Sequence, residues 1–219
     1  MPLLNFEVMA LSEQEQVRRE KLNQLKAMDI NPYPAHEVDI DTDTKSIKEN
    51  FEDHKPVKIA GRLMSRRIQG KASFAELQDA EGRIQVYFNR DEICPGEDKS
   101  QYNDVYKKLL DIGDFISING VLFKTKVGEM TVMVKDFELL SKSLKPLPLP
   151  KKDKEGNEYD GFTDEEQRYR QRYADLAVNA HVKDVFVKRT KLFTAMRDFF
   201  NNKGYLEVET PILQSIPGG

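Results

Sequence analysis

In the run RRIQGKASFAELQD, Arg66 to Asp79, two arginines and a lysine precede an aromatic residue, Phe74, that stands in an alternating stretch. Gln85 lies in the next such stretch, Arg83–Phe88, and Glu129 closes the short turn Val127-Gly128-Glu129. These residue types contain no nucleophile–base pair and no metal-ligand spacing. They suit non-covalent recognition of a polyanion that carries flat rings. Arg66, Arg67 and Lys71, read as a loop before the Phe74 stretch, can meet phosphates. Phe74 offers a face on which an unstacked base can lie, worth roughly 1–3 kcal/mol. Gln85 brings a donor and an acceptor to a base edge, and Glu129 can accept from a base N–H. Gly70-Lys71 is not a phosphate loop, because the motif needs a second glycine upstream and a Ser or Thr after the lysine. On pattern alone the plainer reading is stronger: Phe74 as a core residue and Gln85 as an exposed strand polar.

Composition narrows the classes. The chain has 219 residues, 32% of them charged and 39% hydrophobic, as in soluble globular proteins. A net charge of −3 announces no global attraction to a polyanion. Locally, Lys55 to Arg90 holds eight Lys/Arg against three acids. Such segments are usually solvated surface, so this favours nucleic acid only weakly. Cys94 is the single cysteine, which excludes a disulfide or a thiolate metal site within the chain. His36, His54 and His181 show no ligand spacing. No apolar run approaches the length needed to span a membrane. The opening MPLLNFEVMALSEQE lacks the basic and apolar regions of a signal peptide, so a cytoplasmic location is expected.

The elements that must position these residues can be traced along the chain. Ser12-Glu13-Gln14-Glu15 reads as a capping box opening a helix to about Met28, with Leu22, Leu25 and Met28 as a narrow apolar stripe. Asn31-Pro32-Tyr33-Pro34 stops it, and a polar, acidic connector runs to about residue 54. From Pro56 the period changes to two: Val57, Ile59, Gly61 and Leu63 alternate with Lys58, Ala60, Arg62 and Met64. Ser73–Gln78 and Arg83–Phe88 follow, joined by the turn Asp79-Ala80-Glu81-Gly82. A short helix is expected within Asp104–Leu110, then strands Phe115–Lys124 and Met130–Leu140. Three strands, a helix and two strands, over residues 55–142, predict a five-stranded OB barrel. Such barrels bind oligonucleotides or oligosaccharides on the face of strands two and three, where Phe74 and Gln85 fall.

SLKPLPLP, Ser143–Pro150, reads as a stiff linker, within a connecting segment 143–162 whose Lys151–Tyr159 part is a polar loop. Residues 163–219 then form a second region. Thr163-Asp164-Glu165-Glu166 reads as a capping box for a short helix through Tyr173. A long helix spans about Val182–Lys203, with Val182, Val185, Phe186, Phe193, Met196, Phe199 and Phe200 on one side. Gly204 stops it, and Tyr205–Glu209 reads as a strand ended by Thr210-Pro211. This region cannot close a core, so a second subunit or the rest of a domain is expected to cover the helix.

The blocks RRIQGKASFAELQD, GRIQVYF (Gly82–Phe88), LFKTKVGEMTV (Leu122–Val132), RYRQRYADL (Arg168–Leu176) and GYLEVETPIL followed by IPGG resemble, in order, the N-terminal part of a class II lysyl-tRNA synthetase. The match runs from about Ser12 onward. The resemblance implies an α+β, mostly β architecture: an N-terminal helix (1–54), an anticodon-binding OB barrel (55–142) and the helical start of a class II catalytic domain (163–219). It implies that Phe74 stacks on an anticodon base, that Arg67, Gln85 and Glu129 contact anticodon bases, and that Arg66 and Lys71 meet the RNA backbone. That reverses the plainer reading of Phe74. It also implies that the long helix, the following strand and Pro211 form the first signature motif, with Phe193, Met196, Phe200 and Pro211 at a homodimer interface. The implied partners are lysine tRNA and a second subunit, with neither DNA nor membrane.

In such enzymes lysine attacks the α-phosphate of ATP–Mg²⁺ to give lysyl-adenylate, and a terminal ribose hydroxyl of the tRNA takes the lysyl group. Both steps need charge clamps on phosphate. The resemblance places those clamps on later signature motifs. No catalytic or metal residue is therefore expected here, no cofactor should be bound by this chain, and it should not charge tRNA by itself. Two other readings compete: a stand-alone OB module for single-stranded RNA, and a non-catalytic dimerisation protein derived from a synthetase. Val182–Gly219 counts against the first, and the stop at Gly218-Gly219 against the second.

Overall fold

The computed structural model describes residues 11–152, 158–159 and 161–212. The terminal Pro217-Gly218-Gly219 lies outside them. The chain divides into two compact units, Met1–Pro146 and Leu147–Gly219.

In the first unit five strands close in a ring: β1 (Pro56–Gln69), β2 (Ala72–Gln78), β3 (Arg83–Asn89), β4 (Phe115–Lys124) and β5 (Met130–Ser141). The order is β1-β2-β3-β5-β4, and β4 pairs back onto β1, so no edge is left open. All neighbours are antiparallel except β3 and β5. The strand order and approximate bounds follow the sequence pattern, with one correction. β1 does not end near Met64 but continues to Gln69, so Arg66 and Arg67 belong to a strand and not to a loop. The period-two pattern hides this because the pairing with β2 jumps between Leu63↔Leu77 and Ser65↔Glu76. Met64 is a bulge residue, and beyond it the inward and outward positions exchange. The ring curls tightly: a Cβ on Gly120 would come within 2.6 Å of the Met133 carbonyl oxygen.

The inward residues Ile59, Leu63, Leu77, Val86, Ile116, Ile118 and Val132 form the core. A π-helical segment, Gln101–Leu109, plugs one side of it, close to the expected Asp104–Leu110 helix. Its Tyr106 stacks on Phe88 with ring centroids 4.0 Å apart and shares a hydrogen bond of 2.7 Å with the Ser73 hydroxyl. Burial pushes the Tyr106 hydroxyl far above its ordinary pKa, so it stays neutral there.

Helix α1 (Glu13–Ala27) carries the expected capping box, with the Ser12 hydroxyl accepting from the Glu15 N–H. Leu25 is fully buried, an anchor worth about 1.5–3 kcal/mol. Met28 is exposed, however, and the helix's other buried residue is Arg18. Its guanidinium donates to the carbonyls of Ser143 and Ile112, both at 2.9 Å. Beside it the fully buried Lys142 donates to Asp111 at 2.6 Å and to Asp114 at 2.8 Å, and Lys21 also donates to Asp111. Burial raises the pKa of Asp114 despite Lys142. At Asp111 the same cost is outweighed by the two lysines, which hold the carboxyl below its ordinary range. The polar connector also contains a helix that the sequence pattern did not reveal, α2 (Thr44–Glu49), capped by Asp43 and anchored by buried Ile47. A single turn, α3 (Arg90–Ile93), follows β3.

In the second unit the ends of the expected polar loop pair as β6 (Lys151–Lys152) with β7 (Glu158–Tyr159). α4 (Glu165–Arg170) is capped by Asp164, whose carboxylate accepts from the Gln167 N–H, and not by Thr163. α5 (Arg172–Val178) follows; Arg168 and Arg172 both donate to its fully buried Asp175. That ionic brace accounts for the RYRQRYADL block. α6 (Ala180–Asn202) matches the expected long helix, and Gly204 takes a φ of +82° just beyond it. Tyr205–Glu209 forms no strand, since no described backbone pairs with it.

Candidate functional site

The bulge at Met64 decides which side chains meet outside the ring. Beyond it Arg67 stands opposite Phe74, and Phe74 opposite Tyr87. One step along, Ser65 stands opposite Glu76, and Glu76 opposite Gln85. Directly opposite residues share a face, so these two rows form one outer surface. Phe74 is half-buried there, whereas its neighbours Ser73 and Ala75 point into the core. The Tyr87 ring supports Phe74 at 4.9 Å between centroids, and Phe123 supports Tyr87 at 6.0 Å.

These rows floor a groove of about 490 Å³. Arg67, Phe74, Gln85 and Glu129, the residues expected to meet bases, all line it, together with Glu76 and Lys48. The turn carrying Glu129 is fixed by its own hydrogen bonds. Thr125 N–H donates to the Glu129 carbonyl at 3.0 Å, and Glu129 N–H to the Thr125 hydroxyl at 3.0 Å. Gly128 supplies the positive φ, +88°, that the turn requires.

The polar groups are oriented. The hydroxyl of fully buried Thr131 lies 2.8 Å from Gln85 Oε1 and 3.2 Å from the Glu129 carbonyl oxygen, and the nearer contact is its donation to Gln85. That leaves the Gln85 amide hydrogens for a ligand. Arg83 is spent on Glu76 at 3.2 Å and Gln78 at 2.7 Å. Among the described residues Arg67 and Lys48 have no carboxylate partner, and Glu129 has no cation. The groove therefore presents a supported aromatic ring, an amide donor, a free carboxylate acceptor and two uncompensated cations. This set can stack a planar heterocycle, read its edge and hold a nearby phosphate.

Two expected residues are not in this group. Arg66 points to the other side of β1, where it donates to the Tyr106 carbonyl and lies over that ring at 5.5 Å. Lys71, on the β1–β2 turn, is exposed and lies 3.8 Å from Asp91, outside the groove lining. Thr131, Lys48 and the exposed Val127 at the groove rim were not singled out by the sequence. Thr131 reads as one more strand residue until its register with Gln85 is known.

In the second unit Phe193, Met196 and Phe200 lie along one face of α6 and remain 40–49% exposed; Pro211 is exposed as well. Phe200 and Met196 flank a separate pocket of about 290 Å³ with Tyr205 and Leu206. Among the described residues no three His, Cys, Asp or Glu side chains converge in a way that could hold a metal.

Residues 57–140 match the family described as OB-fold nucleic acid binding domain, and residues 164–219 match tRNA synthetases class II (D, K and N). Among curated proteins the chain is 77% identical over 209 residues to a lysine–tRNA ligase of Christiangramia forsetii, covering 95% of this chain and 37% of that protein. It is 58% identical over 217 residues to one from Porphyromonas gingivalis, covering 97% and 37%. A lysine–tRNA ligase of a Thermoanaerobacter species is 48% identical over 212 residues, covering 95% and 40%. The chain thus spans 37–40% of the length of these relatives.

Proposed function

The chain belongs to the lysine–tRNA ligase family, and on that premise we propose that its groove binds the anticodon loop of lysine tRNA. The observation that carries this reading is the convergence of Arg67, Phe74, Gln85 and Glu129 on one groove, with the Gln85 amide already turned by Thr131. A splayed uracil stacks on Phe74. Its edge presents an N–H between two carbonyl oxygens. The Gln85 amide donates to a carbonyl and the Glu129 carboxylate accepts from the N–H. Cytosine has no hydrogen at that ring nitrogen and carries its donor on the exocyclic amine, so a Glu129 carboxylate aimed at the ring nitrogen meets an acceptor there and the pairing discriminates. Arg67 holds the adjoining backbone or base edge.

For the whole protein the proposed activity is attachment of lysine to tRNA through lysyl-adenylate, with ATP and Mg²⁺. The described residues supply no donor set for Mg²⁺ and carry no step through it. What this chain contributes is selection of the tRNA. We place it in the cytoplasm with translation; no described helix is long and apolar enough to cross a membrane. The apolar face of α6 with Pro211 is proposed to be covered by a second subunit. A dimer by sedimentation that Met196→Glu dissociates supports this, and a monomeric parent chain overturns it.

The deciding experiment is titration of the purified chain with two anticodon stem-loops, UUU and GUC, at fixed moderate salt. A clear preference for UUU is expected. Equal binding of both that vanishes as salt rises would reduce the site to phosphate attraction and refute the reading.

A further inference from the structure

Lys48 reaches the groove from outside the five strands. It stands on α2, is exposed, and lines the groove with Arg67 and Phe74. The first residue of its helix is tied to the β2–β3 turn by one carboxylate. Asp79 accepts from the Thr44 N–H and the Thr44 hydroxyl, both at 2.7 Å. The same side chain accepts from the N–H groups of Glu81 at 2.8 Å and Gly82 at 2.9 Å. Asp79 therefore ties the β2–β3 turn to the start of α2 with four hydrogen bonds. The seating is close, since a Cβ on Gly82 would come within 3.3 Å of the Thr44 hydroxyl oxygen. Thr44 and Ile47 are both buried, 1% and 3% exposed, so the backbone leading to Lys48 is fixed at two points. The neighbouring Lys45 pairs with Glu49 at 3.9 Å, which leaves Lys48 as the uncompensated cation of α2 among the described residues.

We propose that Lys48 contacts a phosphate of the RNA strand lying in the groove, and that Asp79 is the residue that positions it. This rests on the reading of the groove as an RNA site. Charge selects the ligand group: Arg83 is neutralised by Glu76, so among the described residues Lys48 and Arg67 are the groove cations without a carboxylate partner, and two nitrogens of Arg67 already face the Gln69 side-chain amide at 3.0 and 3.1 Å. Position separates their targets. Asp79, just past the end of β2, lies five residues along the chain from Phe74 of the Arg67↔Phe74 row, about 16 Å at ~3.3 Å per residue. The two cations can therefore bind different phosphates of one strand. A phosphate contact carries no sequence information, so Lys48 supplies affinity and register, while Gln85 and Glu129 supply the choice of base.

The test is titration of the full chain with the UUU and GUC stem-loops across a salt series, for the parent, Lys48→Gln, Lys48→Arg, Asp79→Asn and Phe74→Ala. One single-strand phosphate contact contributes about 0.7 to the slope of log K against log salt, which amounts to about fivefold in affinity at 0.1 M. Lys48→Gln should lower affinity for both stem-loops by that factor, reduce the slope by about 0.7 and leave their ratio unchanged. Lys48→Arg should keep the parental slope. Asp79→Asn should reproduce the Lys48→Gln slope, and the double variant should reduce it no further. An unchanged slope in Lys48→Gln while Phe74→Ala weakens UUU binding overturns the proposal and leaves the groove reading standing. A Lys48→Gln variant that alters the UUU-to-GUC ratio also overturns it. If Phe74→Ala has no effect either, the groove reading falls first and Lys48 falls with it.

Discussion

Removing the Thr131 hydroxyl should damage the choice of base more than the fold. In Thr131→Val the shape of the buried side chain is kept, but the 2.8 Å hydrogen bond to Gln85 Oε1 is lost. The stability cost should be modest. Gln85 is half-exposed, so its freed oxygen can turn to water, and an ordinary net hydrogen bond is worth about 0.5–1.5 kcal/mol. The second effect falls on binding. With Thr131 in place the Gln85 amide is already oriented, its donors toward the groove. Without it, the ligand must order that side chain, at about 0.5–1.5 kcal/mol for one immobilised rotamer-rich group, equivalent to about 2–13-fold. This loss applies only to the stem-loop that uses the amide. The UUU-to-GUC ratio should fall by about that factor, while GUC affinity and the salt slope stay as in the parent. Competition titrations at one salt concentration, with urea unfolding in parallel, measure both parts. Equal weakening of both stem-loops would refute the argument for selectivity, because the lost contact would then be to the middle uracil that both anticodons share, or the effect would be on general stability. An unchanged ratio would show that the Gln85 amide is not the reading group.

The other expectations concern the stack and the buried charges. Phe74→Ala should weaken UUU binding by about 1–3 kcal/mol, or about 5–150-fold, and lose about 0.5–1.5 kcal/mol of fold stability with the Tyr87 pair on top of its partial burial; a large unfolding effect without a specific binding loss would return Phe74 to a packing role. Lys142→Met strands the fully buried Asp114 without its cation and should cost about 3–5 kcal/mol in urea unfolding; a cost below about 1 kcal/mol would mean that the desolvation of the pair cancels its attraction. Asp111 is held below its ordinary value of 3.8, so its contribution to stability is complete above that value and disappears as the pH falls through the lower folded-state pKa. Asp114, raised by burial, acts in the opposite sense. Asp111→Asn should therefore flatten the loss of stability below about pH 4 in acid-unfolding curves, and an unaltered acid limb would disprove the assignment.

Much of the molecule was legible in the sequence, for a local reason. Alternation of apolar residues and glycine turns are properties of short segments, and they predicted five strands with a helix between the third and the fourth. Side-chain chemistry near Phe74 also limited the site to stacking and hydrogen bonding. The choice of face was not local. In Ser73-Phe74-Ala75-Glu76-Leu77-Gln78 the most apolar early residue points out and a serine points in, because pairing with β1 and β3 sets the register. One bulge residue, Met64, exchanges the two sides of β1, which sends Arg67 to the groove and Arg66 to Tyr106. Neighbours in sequence with the same chemistry thus acquire different roles. α2 was invisible because six residues with weak intrinsic preference form a helix only once Ile47 is buried and Asp79 grips Thr44. Tyr205–Glu209 shows the converse: its alternation reads as a strand, but among the described residues no backbone pairs with it. The sequence determined which elements form and which chemistry was available; long-range pairing alone decided which side chains meet.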